Sequence, residues 1–502
     1  MDQQQVTAVD AAALYRDAMP EGELLEFSTA GLDRVGVPAY AVQWAPERGF
    51  KGGLGYGIDD RSARLSAWGE LAEAVLLASV ADELPARRAS YAQLRREVGE
   101  GGVVDPLRLC LEAGTDYDED RPLDWTPLTR WTTGEQVLVP VDVVASEPAG
   151  LPRAARTAPP GGRLTTLITN GQGAGDTVSR ALGHALAELL QRDGNGLRFR
   201  ALDEGVVLDL GPDDSAVSDP AARRGLQQLR AAGIDVVAKL AAVENGVCNV
   251  FVVGADDDPP LPLMVTAAGE AAHPDRDVAL RKAVLEFAAA RSRKAFMHGP
   301  LDRVAALAPE GYLARFTADP AAQEPRALAE MVGWLGMSTD QLRAALEPTV
   351  LSRRSTVDFA DLPRDPAAEH PHVLCDRLVA GLTADGFDVL VLVARRGDAV
   401  AVKAVVPGLE VETMSYGRIG ERGVRSLLAR GDGRTGVHGL VGLGPAPETA
   451  APVLLTPDAQ DRLGGRPWFD RAAADRVIGP LYPLYREPAR HAAPAALGRL
   501  GA

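Results

Sequence analysis

Carboxylates and cations recur at helical spacing in three places along the chain, and each grouping could do metal or phosphate chemistry. In SAWGELAE (66–73), Ser66, Glu70 and Glu73 stand at i, i+4 and i+7, so a hydroxyl and two carboxylates share one helical face. Acids three residues apart repel unless solvent or a cation relieves them. The stretch is otherwise apolar (Leu65, Leu71, Val75, Leu76), which suits Mg2+ held by carboxylates, waters and phosphate oxygens. In TNGQGAGDTVSRALGHALAELLQRD (169–193), Arg180, His184, Glu188, Gln191 and Arg192 lie along one face. The glycines ahead of it offer backbone N–H groups at a helix N-terminus, where the dipole favours an anion. In LRKAVLEFAAARSR (280–293), Lys282, Glu286 and Arg293 share a face, with Arg281 and Arg291 at its edges. Taken singly, each segment also reads as a solvated charged stripe or an intrahelical Lys–Glu pair. The glycines around 171–175 form neither a GxGxxG fingerprint nor a GK[ST] Walker loop.

The elements that must position these groups follow from periodicity. Residues 1–24 read as a helical lead-in, 35–44 as a strand with Pro38 at an edge, and KGGLGYG (51–57) as a glycine-rich loop before a helix over 62–80. A Pro-, Gly- and Arg-rich linker (147–163) precedes an expected strand at 164–168, a tight loop through NGQGAGD, and an amphipathic helix over 177–192. Strands at 235–243 and 249–255 lead to a helix over 276–297, a polar helical insertion at about 309–368, and strands at 387–394 and 399–408. Strand–loop–helix recurs three times, which predicts a mixed α/β fold with one catalytic domain over 25–425. Residues 426–502, rich in Gly, Pro and Ala, read as an extension with poor order at its end.

Composition narrows the function. Of 502 residues, 46% are hydrophobic and 24% charged, which is globular chemistry. A net charge of −16 argues against a nucleic-acid partner, whose phosphates call for a basic footprint. No apolar stretch is long enough to span a bilayer and no signal peptide opens the sequence, so a cytoplasmic location away from membranes is expected. Cys110, Cys248 and Cys375 are too scattered for a disulfide framework or a zinc pattern. His370, His372 and Cys375 read as a surface segment, and no GxSxG elbow occurs. Tyr40, Trp44 and Tyr56 read either as core or as a wall for a purine.

Taken together, the charged segments resemble the YcaO family of ATP-dependent peptide-modifying enzymes. Lys51-Gly52-Gly53, then Ala63, Ser66, Ala67, Glu70 and Glu73, follow its GKG and A-x-x-S-A-x-x-E-x-x-E pattern. Thr169-Asn170-Gly171 through Gly175-Asp176-Thr177, then Glu188, Arg192 and Asp193, follow its second signature. Lys282, Ala283, Glu286 and Arg291 follow its third, while VVPGLE (405–410) and AGLDRVGVPAY (30–40) match its closing and opening segments. The resemblance implies a YcaO-type fold around an acidic nucleotide site, with ATP and Mg2+ as cofactors. It implies that Glu70, Glu188 and Glu286 are catalytic and, with Glu73, ligate Mg2+. Lys51, Ser66, Asp176, Arg180, Gln191, Arg192 and Lys282 fall on nucleotide-contacting positions. The implied reaction is phosphorylation of a backbone amide oxygen in a ribosomally made precursor peptide, leading to a thioamide, an amidine or an azoline.

The departures leave a choice open. Arg180 and Gln191 stand where the family has metal-binding glutamates, and Lys282 replaces an arginine. Arg180 cannot ligate a metal. Either it contacts ATP phosphates in place of a cation, or the chain is a degenerate scaffold that binds peptide or a partner enzyme. The end of the chain lacks the P-x-P-x-P tail of azoline-forming members, which shifts the expectation towards thioamide or amidine. Expected partners are the precursor peptide, a protein delivering substrate or sulfur, and a second copy of the chain.

Overall fold

The computed structural model describes residues 8–46, 50–156, 162–199, 203–316, 324–411 and 417–500. The chain divides into two compact units: Met1–Ala72, Leu202–Glu369 and Pro480–Ala502 form unit 1, and Glu73–Ala201 with His370–Gly479 form unit 2. The composition-based boundaries do not coincide with these units.

Unit 1 opens with helix α1 (Ala8–Asp17) and an antiparallel sheet of β1 (Glu23–Ser28), β2 (Ala39–Ala45) and β3 (Lys51–Tyr56). Helix α2 (Asp60–Val80) follows, and the division between the units falls within it. Unit 2 continues with β4 (Arg87–Ser90), α3 (Tyr91–Val98), β5 (Pro122–Arg130), β6 (Gln136–Pro140), β7 (Gln172–Gly175) and α4 (Val178–Phe199). The chain then returns to unit 1 with β8 (Val206–Asp209), α5 (Pro220–Ala231), β9 (Ile234–Glu244), β10 (Val247–Asp256), β11 (Ala268–His273), α6 (Arg276–His298) and β12 (Ser355–Asp358). The strands of this second sheet run in the order β11-β10-β9-β8-β12. β13 (Leu390–Arg396) and β14 (Ala399–Val405) complete the unit 2 sheet, ordered β4-β5-β13-β14-β7 with β6 on β5.

Each unit has its own core. In unit 1, Leu226 and Leu229 of α5 and Val284 and Phe287 of α6 pack on Val250 and Val252 of β10. In unit 2, Trp125, Leu128 and Val139 pack with Leu94, Leu123 and Leu390. Local sequence sets the ends of α6. Asp275 caps it by accepting from the N–H groups of Asp277 and Val278, and Gly299 follows its last turn. Among the described residues no helix is long and apolar enough to cross a membrane.

Several expected elements differ. The glycine-rich 51–57 segment is not a loop but strand β3, and NGQGAGD contains strand β7, paired with β14. Gly53, Gly55 and Gly173 are there for close packing, whereas Gly171, at φ +78°, turns the chain into β7. Residues 164–168, expected as a strand, join no ladder. The carbonyls of Thr166 and Ile168 are instead taken by the side chains of Arg418 and Lys403. Segment 309–368 falls within unit 1 and supplies β12, which pairs in parallel with β8. Residues 426–479 belong to unit 2, while 480–502 belong to unit 1. There the described part is tied down by the Arg293–Glu487 ion pair at 2.9 Å and by His491 N–H donating to the Met297 carbonyl. Residues 1–7, 157–161, 317–323 and 501–502, parts of the expected lead-in, linker, insertion and tail, lie outside the described residues.

Candidate active site

Three strand–helix modules carry the glutamates singled out by the sequence: β3 with α2, β7 with α4, and β11 with α6. Each helix reads A-x3-A-x2-E, with Ala63, Ala67 and Glu70, then Ala181, Ala185 and Glu188, then Ala279, Ala283 and Glu286. All six alanines are fully buried. The reason lies on the strands. A Cβ at Gly53 would fall on the Ala67 carbonyl, one at Gly173 on the Ala181 carbonyl, and one at Gly269 on the Ala283 carbonyl. Glycine facing alanine brings strand and helix backbones together, and from that distance the glutamate reaches back to the strand. Glu70 Oε2 accepts from Leu54 N–H at 2.8 Å, Glu188 Oε2 from Gly171 N–H at 2.9 Å, and Glu286 Oε2 from Glu270 N–H at 2.8 Å. One oxygen of each carboxylate is thereby fixed by main chain. The A-x3-A-x2-E repeat was a signal available in the sequence that reading for short periods misses.

Within unit 1, Glu70 and Glu286 lie about the same phenol. Burial pushes the Tyr56 hydroxyl well above its ordinary pKa, and the charges of Glu286, Glu70 and Glu270 add to the effect. Tyr56 is therefore a polar member of this site, and Glu270 is a carboxylate the sequence reading missed. Lys51 begins β3 half-buried, and Ser66 and Lys282, also half-buried, occupy the same place in their helices, three residues after the first alanine of the motif.

Within unit 2 these carboxylates face basic side chains. Glu188 Oε1 lies 3.6 Å from Arg192, Glu73 lies 3.7 Å from His184, and Asp176 accepts from Arg180 Nε at 2.8 Å. His184 holds the motif position that Ser66 and Lys282 hold elsewhere, and Gln191 follows Glu188 as Glu73 follows Glu70. Arg180 and His184 are exposed, whereas Asp176, Glu188, Gln191 and Arg192 are half-buried, which fits the single polar face expected of α4.

Three motif residues turn out to be anchors. Buried Asp193 accepts from Glu410 N–H at 2.9 Å and from Arg422 at 2.7 and 3.0 Å, linking the end of α4 to the PGLE segment. Glu410 in turn accepts from the N–H groups of Gly420 and Gly423. In unit 1, Arg291 is fully buried and grips Asp33 at 2.8 Å, Asp256 at 2.7 Å and the Met264 carbonyl, which ties the AGLDRVG segment to α6. A buried cation with every arm engaged holds the fold and is spent on structure. Lys403, absent from the sequence reading, is buried on β14. Burial lowers its pKa to about 8, Glu188 opposing and Arg418 reinforcing that shift.

The family model described as YcaO cyclodehydratase, ATP- and Mg2+-binding, matches residues 54–410, and the chain belongs to this family. A protein of Methanothermobacter thermautotrophicus described as uncharacterized is 26% identical over 409 residues, covering 79% of this chain and 92% of that relative. Among solved structures, YcaO from Methanopyrus kandleri bound with AMPPCP and Mg2+ aligns at a TM-score of 0.54 and 19% identity, over 82% of this chain and 92% of that one. A heterocyclase in complex with substrate and cofactor aligns at 0.59 and 19% identity, over 83% of this chain; the match spans only 54% of that longer heterocyclase. The Escherichia coli microcin synthetase McbBCD complex with pro-MccB17 bound aligns at 0.51 and 13% identity, over 78% and 89% of the two chains. These likenesses show a shared mixed α/β fold.

ATP and Mg2+ are the cofactors of this family, and the donor set fits them. Carboxylate oxygens suit a hard divalent cation, and Arg192, Arg180 and Lys282 suit phosphate oxygens. Among the described residues no group of three or more His, Cys, Asp or Glu could by itself hold a metal ion.

Proposed function

We propose that this YcaO protein uses ATP and Mg2+ to activate a backbone amide oxygen of a ribosomally made precursor peptide, yielding a thioamide, amidine or azoline. The observation that carries this reading is the module built three times over, each time delivering one glutamate whose Oε2 is locked to a strand N–H. Glu70, Glu188 and Glu286, with Glu73, hold Mg2+. Lys51, Ser66, Asp176, Gln191, Arg192 and Lys282 hold the nucleotide, and Arg180 supplies fixed positive charge to phosphate. ATP supplies the phosphoryl group that turns an amide oxygen, a poor leaving group, into phosphate. Main-chain locking matters because a pre-aimed carboxylate needs no reorganisation when charge develops on phosphate. The precursor peptide is delivered by a partner protein, which also brings sulfur where the product is a thioamide.

A second reading is a scaffold that binds peptide or a partner enzyme without turning over ATP. It is favoured by one observation, the Arg180–Asp176 pair, in which a permanent cation occupies the carboxylate that would otherwise face a metal. Calorimetry with ATP, with and without Mg2+, separates the two. The enzyme reading expects Mg2+-dependent binding that Glu70→Gln, Glu188→Gln and Glu286→Gln each weaken at least about tenfold. Absence of Mg2+-dependent binding at millimolar ATP leaves the scaffold.

A further inference from the structure

The chain entering β7 makes no ladder, yet its peptide groups are held. Lys403 Nζ donates to the carbonyl oxygens of Asn170 at 2.6 Å and Ile168 at 3.2 Å, from a side chain only 2% exposed. Earlier in the same segment, Arg418 donates to the Thr166 carbonyl at 3.3 Å. The Asn170 carbonyl and the Gly171 N–H belong to one planar peptide unit, and it is this N–H that donates to Glu188 Oε2. No cis peptide occurs among the described residues, so the carbonyl and the N–H point to opposite sides of that unit. A cation pulls on one side and a carboxylate receives on the other. Both polarise the peptide in the same sense, so each strengthens the other's hydrogen bond. Gly171 takes the positive φ of +78° that this turn requires, and Ala404 N–H, donating to its carbonyl at 2.7 Å, holds it there.

We infer that Lys403 is a positioning residue for Glu188. Through the Asn170–Gly171 peptide it fixes Oε2, and so sets the direction in which Oε1 is presented to the cation. The inference rests on the reading of Glu188 as a Mg2+ ligand and deepens it. Glu70 and Glu286 are held differently, since their N–H donors, Leu54 and Glu270, lie within regular ladders of β3 and β11. There the sheet performs the task that Lys403 performs beside the irregular chain before β7.

The test is a double-mutant cycle read by calorimetry as the Mg2+ concentration needed for half-maximal ATP binding, on the full chain. Lys403→Met is expected to raise that concentration about tenfold or more, the usual size of an outer-shell effect on metal affinity. Lys403→Arg, which keeps a charged donor, is expected to recover most of it. In the Glu188→Gln background, Lys403→Met is expected to add little, since the group it positions is gone. Should Lys403→Met fail to fold, Lys403→Gln takes its place in the cycle, with matching near-ultraviolet circular dichroism as the criterion of folding. Additive losses, or wild-type Mg2+ dependence in folded Lys403→Met and Lys403→Gln, overturn the inference. The parent reading fails on a different result, wild-type Mg2+ dependence in Glu188→Gln itself.

Discussion

The strand–helix modules of unit 1 and the one in unit 2 share a backbone design and differ in charge. In unit 1, Glu70 and Glu286 lie about the phenol of Tyr56, with Glu270 beside them. In unit 2, Glu188, Glu73 and Asp176 each face a basic side chain: Arg192, His184 and Arg180. One packing rule, glycine on the strand against alanine on the helix, therefore serves two electrostatic ends. The carboxylate-rich arrangement suits a divalent cation, and the mixed one suits a cation together with the phosphate oxygens that accompany it.

The sharpest way to break this equivalence is to fill the strand–helix contact. Gly269→Val in unit 1 and Gly173→Val in unit 2 both drive a side chain into a helix carbonyl, and each is expected to cost at least about 3 kcal/mol or abolish folding. Denaturant unfolding reads the loss. A variant at either position that unfolds like wild type would show that the contact is not the common device.

Acid should separate the units. Burial depresses His273 to about 4, helped by Lys282, and His491 to about 3, helped by Arg490; both belong to unit 1. Their folded pKa values lie below the unfolded value of about 6.5, so the unfolded state binds the proton first and stability falls as pH drops below that value. From pH 7 to 5 each histidine is expected to cost unit 1 about 2 kcal/mol. In unit 2 burial raises Asp105 and Asp142, so protonation favours their folded state and the sign is opposite. Hydrogen exchange followed by mass spectrometry at the two pH values should show α6 peptides losing protection before those of β5 and β6. Equal loss in both would remove the electrostatic distinction.

The smallest expected effect concerns Arg180. Its pair with Asp176 is half-exposed, with the arginine side chain 50% accessible, so Arg180→Ala should change stability by no more than about 0.5 kcal/mol. The same variant should weaken Mg2+-ATP binding if the arginine supplies charge to phosphate. A clear fall in melting temperature with unaltered nucleotide affinity would reassign it to structure.

Residue type and spacing alone were enough to place Glu70, Glu188 and Glu286 on helices, because a 3.6-residue period is local and survives without any knowledge of neighbours. They were also enough for the mixed α/β class, and for the polar face of α4. What they misread were the glycines. GxG reads as a loop when the chain is considered by itself, and only the helix packed behind β3 and β7 shows why a Cβ is excluded there. The strand expected at 164–168 failed for the converse reason. Its apolar pattern was right for a ladder, but buried Lys403 and Arg418 claim its carbonyls, and neither is near it in sequence. Arg291, Asp193 and Glu410 likewise carried the resemblance as motif letters, while their roles as anchors depend on partners 10 to 258 residues away. Helical faces are decided by neighbours a turn apart and can be read from the chain. Which backbone groups a buried cation or carboxylate will satisfy is decided by distant segments, so only the folded molecule assigned Tyr56, Glu270 and Lys403 their places.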